Sequence, residues 1–123
     1  MFSAKIIETS KELTKKQEVM LKQLTDAIKL DKATNYEEDV IIDVDSYAIL
    51  SVHNDKAEDP DYTTYVIIDK NGQKYTTGSP SFWSAFMDIF EDMAGSGEEW
   101  QLKVFKLPSR NREGKDFITC TII

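Results

Sequence analysis

Apolar and polar positions alternate through most of the chain after residue 40. Val40 to Val52 has the period of a long strand, with Val40, Ile42 and Val44 on one face. The alternation shifts phase at Ser46-Tyr47, which predicts a β-bulge there. Tyr62–Asp69 and Gln73–Thr77 read as two strands around Asn71-Gly72, a dipeptide that favours the left-handed backbone of a hairpin turn. The period then changes. Phe82, Phe86, Ile89, Phe90 and Met93 fall on one face of a helix, with Trp83 off that stripe at an edge or a subunit contact. Ser79 suits the N-cap, Pro80 the first helical position, and Gly95-Ser96-Gly97 the stop. Alternation resumes over Trp100–Leu107 and Phe117–Ile123, joined by the polar segment Pro108–Gly114.

The first third supports two readings. Leu13, Met20, Leu21, Leu24, Ala27 and Ile28 recur at helical spacing, and Thr14-Lys15-Lys16-Gln17 fits a capping box, so periodicity predicts a helix over 14–30. The competing reading has strands near Glu18–Gln23 and Ala27–Asp31. Ala4–Ile7 fits a short strand. From residue 62 the order is strand, turn, strand, capped helix, hairpin. That order suits the second half of a five-stranded OB-like barrel with one helix between the third and fourth strands. The expected fold is therefore mainly β, a single OB-like domain over 1–123, a length that can bury a core unaided.

Charge changes the picture. The chain carries a net charge of −7, which argues against coating nucleic acid by charge alone. From Gln101 onward, however, five bases (Lys103, Lys106, Arg110, Arg112, Lys115) face two acids (Glu113, Asp116). From Glu37 to Asp61 the bias reverses, with nine acids against one base, Lys56. That segment lacks the glycine and closing glutamate of a calcium loop, and reads as a solvated acidic face. His53 is the only histidine, and the single Cys120 sits in an apolar run as a small core residue. No phosphate-binding loop or nucleophile elbow is present, so the chain reads as a non-enzyme without cofactor or metal. No apolar run is long enough to span a bilayer, and a lone cysteine fits a reducing cytoplasm.

The candidate chemistry lies in the C-terminal hairpin. With Leu102 and Val104 facing the core beside Ile118, Cys120 and Ile122, the outer face carries Lys103, Phe105, Phe117 and Thr119. Arg110, Arg112 and Lys115 would rim it. Exposed aromatics stack on bases while cations follow phosphates. Tyr65 and Tyr75 extend the aromatic set, and Lys74 and Lys106 the cationic one.

Over Tyr65–Ile123 the chain resembles the single-stranded DNA-binding proteins of small, protein-primed podoviruses that infect Gram-positive bacteria. The resemblance rests on Ile68-Asp69-Lys70-Asn71-Gly72-Gln73-Lys74-Tyr75, the helix, Leu102-Lys103-Val104-Phe105, then Ser109 and Gly114-Lys115-Asp116-Phe117. It implies an OB-like barrel, strands within 18–31, and sequence-independent binding of single-stranded DNA during phage replication. It carries over Tyr75, Lys103, Phe105, Lys115 and Phe117 as binding residues. The expected partners are single-stranded DNA, replication proteins and a second copy of the chain, in the cytoplasm of an infected host. The alternative is a small acidic inhibitor that mimics DNA and binds a basic host protein through Asp55, Glu58 and Asp59. A replisome module using Trp83 and Trp100 at a subunit contact is a third reading.

Overall fold

The computed structural model describes residues 2–34, 38–56, 58–108 and 116–123. These residues form, in order, β1 (Phe2–Thr9), α1 (Lys15–Lys22), β2 (Ile28–Lys29), α2 (Leu30–Ala33), β3 (Val40–Ile42), β4 (Val44–Asn54), β5 (Asp61–Asp69), β6 (Lys74–Thr77), α3 (Pro80–Met93), β7 (Leu102–Pro108) and β8 (Asp116–Ile122). The chain is mainly β, as the alternation predicts. Its strands fall into a five-stranded sheet, ordered β1-β4-β5-β6-β2, and a three-stranded sheet, ordered β3-β7-β8. No closed barrel is found among the described residues. Two compact units result, Met1–Ile28 with Asp45–Gly78, and Lys29–Val44 with Ser79–Ile123.

The strand expected over Val40–Val52 is broken at Asp43, so that β3 and β4 join different sheets. The phase change expected in β4 is absent. Val44, Ser46, Ala48, Leu50 and Val52 are all buried and keep one parity. The bulge lies instead in the partner strand. Ile6 pairs with Leu50 and Glu8 with Ile49, leaving Ile7 as the extra, exposed residue of β1. Tyr47 is buried out of phase because polar groups hold it. Its hydroxyl donates to Glu8 at 2.9 Å, and its backbone N–H donates to the Ser10 hydroxyl at 2.9 Å.

Helix α1 settles the early ambiguity in favour of a helix, though a shorter one than periodicity suggests. Thr14 Oγ1 accepts from the Gln17 N–H, and Gln17 Oε1 accepts from the Thr14 N–H, a reciprocal capping box. Strand over 18–22, which the resemblance implied, is overturned by these bonds. Strand returns only at Ile28–Lys29. Leu21 packs with Ala48, Leu50, Val52 and Val66 to form this unit's core.

The β5–β6 hairpin turns at Asn71-Gly72, with Gly72 at φ +88°, a backbone that side chains rarely adopt. Asp69 builds the turn. Its carboxylate accepts from the N–H groups of Asn71 (2.8 Å) and Gln73 (2.9 Å), and its carbonyl accepts from Gly72.

In the second unit α3 follows the predicted caps. Ser79 Oγ accepts from the Phe82 N–H at 3.2 Å and Pro80 opens the helix. Phe82 and Phe86 are fully buried, and Phe90 packs edge-on to Trp100 at 6.4 Å between ring centroids. Trp83, expected at an edge, is buried with its ring 4.8 Å from Phe86. Its aromatic area joins the core rather than a subunit contact. The helix packs against β8, whose Ile118 and Cys120 are buried.

Candidate nucleic-acid interface

Strict alternation in β7 and β8 separates two faces of the three-stranded sheet. The strands pair without a register break, Lys103 opposite Thr121, Phe105 opposite Thr119 and Leu107 opposite Phe117. On the other flank Ile41 of β3 lies opposite Lys103. Opposed residues share a face, because side chains alternate with period two. The inner face holds Ile42, Leu102, Val104, Ile118 and Cys120, all buried. The outer face carries Ile41, Lys103, Phe105, Leu107, Phe117, Thr119 and Thr121.

This outer face is unusually apolar for a surface. Ile41 is 45% exposed, Leu107 40% and Phe117 42%, while Phe105 is half-buried. Large exposed apolar groups grouped on one face mark interaction surfaces more often than scattered ones do. Lys103 is the described cation among them. Its Nζ lies 6.0 Å from the centre of the Phe105 ring, at the limit of a cation–π contact. The same ammonium pairs with Asp39 at 3.3 Å. Alternation gave Lys103, Phe105 and Phe117 their common face in advance. It did not reveal Asp39, because the pairing of β3 with β7 joins residues far apart in sequence.

The other expected residues lie elsewhere. Lys106 has the inner-face parity, and its Nζ donates to the Asp31 carbonyl at 3.3 Å. Tyr65, Lys74 and Tyr75 belong to the β5–β6 hairpin of the first unit. Tyr65 and Tyr75 share a face with the buried Ile67 and Thr77, and burial raises the pKa of the Tyr75 hydroxyl. Lys74 is committed structurally, donating to the carbonyls of Met20 (2.8 Å) and Gln23 and pairing with Asp26 at 3.3 Å. Arg110, Arg112 and Lys115 lie outside the described residues.

The acidic segment is partly neutralised at short range. Besides Asp39, Asp45 pairs with Lys11 at 2.7 Å, and that bond holds its carboxyl below the usual range. His53 is bracketed by Asp61 at Nδ1 and Asp55 at Nε2, both at 2.6 Å. The Asp61 bond first, and the Asp55 bond second, raise the histidine pKa. A cleft of about 580 Å3 in the first unit is lined by both signs of charge, among them Lys11, Asp45, Asp69 and Lys70. Burial pushes the Cys120 thiol up to about 12, so it stays protonated and unreactive at neutral pH.

Among the described residues no group of three or more His, Cys, Asp or Glu is arranged to hold a metal ion, and no helix is long and apolar enough to cross a membrane. Comparison of the chain with protein families, curated proteins and solved structures gives no match to any of them.

Proposed function

We propose that the chain binds single-stranded DNA with low sequence preference, as a coating protein of phage-type DNA replication, and does so through the outer face of β3-β7-β8. The observation that carries this reading is the grouping of Phe117, Phe105 and Lys103 on one open sheet face with Ile41 and Leu107. Every base offers a π-face, so stacking on Phe117 and Phe105 tolerates any sequence, while Lys103 takes a phosphate. Arg110, Arg112 and Lys115, adjacent in sequence, would extend the phosphate track. The resemblance of Tyr65–Ile123 to podoviral single-stranded DNA-binding proteins supports the same reading, and the OB-like barrel belongs to it. On this reading the protein is not an enzyme, and replication proteins and further copies of the chain are its partners.

Titration with oligo-dT, followed by intrinsic tyrosine and tryptophan fluorescence, tests it. Saturable quenching that weakens with salt is expected. Phe117→Ala and Phe105→Ala should each weaken binding by about 5- to 100-fold, the range of losing one stacked base. Wild-type binding that neither substitution changes would sink this assignment of the face.

A further inference from the structure

The cation at the centre of this face is already held by a carboxylate. Lys103 Nζ lies 3.3 Å from Asp39 Oδ2, and both side chains remain about two-fifths exposed, at 39% and 40%. Asp39 immediately precedes β3, two residues before Ile41, which pairs with Lys103, and its carboxylate reaches the Lys103 ammonium on the outer face. It therefore stands where a polyanion reaching Lys103 would approach. We infer that Asp39 is an electrostatic latch on the binding face, a built-in competitor that sets affinity and salt dependence for a phosphate backbone. This inference rests on the reading of that face given above.

The physical argument is one of competition. A phosphate that pairs with Lys103 must break the Asp39 contact and then sit beside the freed carboxylate. Exposed ion pairs are individually weak, so the latch yields to a strong anion. It nevertheless subtracts from every phosphate contact made there, and like-charge proximity adds to the subtraction. Neutral aromatic ligands meet no such opposition. Removing the carboxylate frees the ammonium and leaves the stacking surface intact.

The test is a double-mutant cycle on the full chain with oligo-dT as probe. Asp39→Asn should tighten binding by about 3- to 10-fold at low salt, and steepen the log–log salt dependence by up to about 0.7, the contribution of one more phosphate on a single strand. In the Lys103→Ala background the gain from Asp39→Asn should shrink to that of a general charge removal. Asp88→Asn, which removes one exposed charge from α3, serves as the control and should have a smaller effect. Circular dichroism confirms that each variant is folded. Equal gains from Asp39→Asn and Asp88→Asn, or an undiminished gain without Lys103, would overturn the latch while leaving the binding face standing. Binding by neither wild type nor variant would overturn the reading of the face, and the latch with it.

Discussion

The ammonium of Lys74 closes helix α1 from outside the helix. The last carbonyls of a helix lack intrahelical partners, and a cation there meets both their lone pairs and the negative end of the dipole. Lys74 takes the carbonyls of Met20 and Gln23 and the carboxylate of Asp26, with its side chain only 13% exposed. Lys74→Met should therefore lower stability by about 1.5–3 kcal/mol, the range for losing hydrogen bonds made by a charged group. Oligo-dT affinity, corrected for the folded fraction, should be unchanged. Chemical denaturation read beside the fluorescence titration checks both halves. His53 gives a second expectation at this scale. Bonds to Asp61 and Asp55 raise its pKa above the ordinary 6.5. A raised folded-state value means that protonation is linked to folding. The stabilisation is full below the unfolded pKa and is lost as pH rises through the folded one. NMR titration of the imidazole should show a midpoint above 6.5, and His53→Ala should flatten the dependence of melting temperature on pH over that window. A midpoint at or below 6.5 would mean that the bracketing carboxylates do not hold the ring in solution.

Elements were legible where local chemistry determines them. The caps Ser79 and Thr14 and the apolar stripe of α3 act within a few residues, and each lies where the sequence puts it. The two faces of β7 and β8 follow from period-two alternation alone, so the candidate site was readable as Lys103, Phe105 and Phe117. Long-range partners decide the rest. Helix α1 ends at Lys22 although its apolar spacing continues to Ile28, and the lysine that caps it comes from β6. Tyr47 breaks the alternation of β4 without a bulge in that strand. Its burial depends on Glu8 and Ser10, contributed by and just after β1, and the extra residue is Ile7. Trp83 is buried off the stripe for a related reason. A stripe drawn through Phe82, Phe86 and Phe90 is narrower than the face that the core of the second unit accepts.

At the scale of the whole molecule, charge constrains the proposed contact with DNA. A chain of net charge −7 repels a polyanion wherever separation is within the screening length, about 10 Å at 0.1 M salt. Attraction must then come from local contacts and stacking, and only the former respond strongly to salt. The outer face offers Lys103, and the adjacent sequence adds Arg110, Arg112 and Lys115. Four phosphates on a single strand correspond to a log–log slope of about −3, and Lys103 alone to about −0.7. Oligo-dT binding measured from 50 to 200 mM salt, as in counterion-release experiments, should give a slope between these limits, with a large salt-independent remainder from stacking. A steeper slope would mean that cations beyond the C-terminal hairpin track the backbone. No binding at any salt would favour the acidic reading, in which Asp55, Glu58 and Asp59 meet a basic protein. That alternative already carries a cost, because Asp55 is engaged with His53 and would have to exchange that bond for a partner's cation.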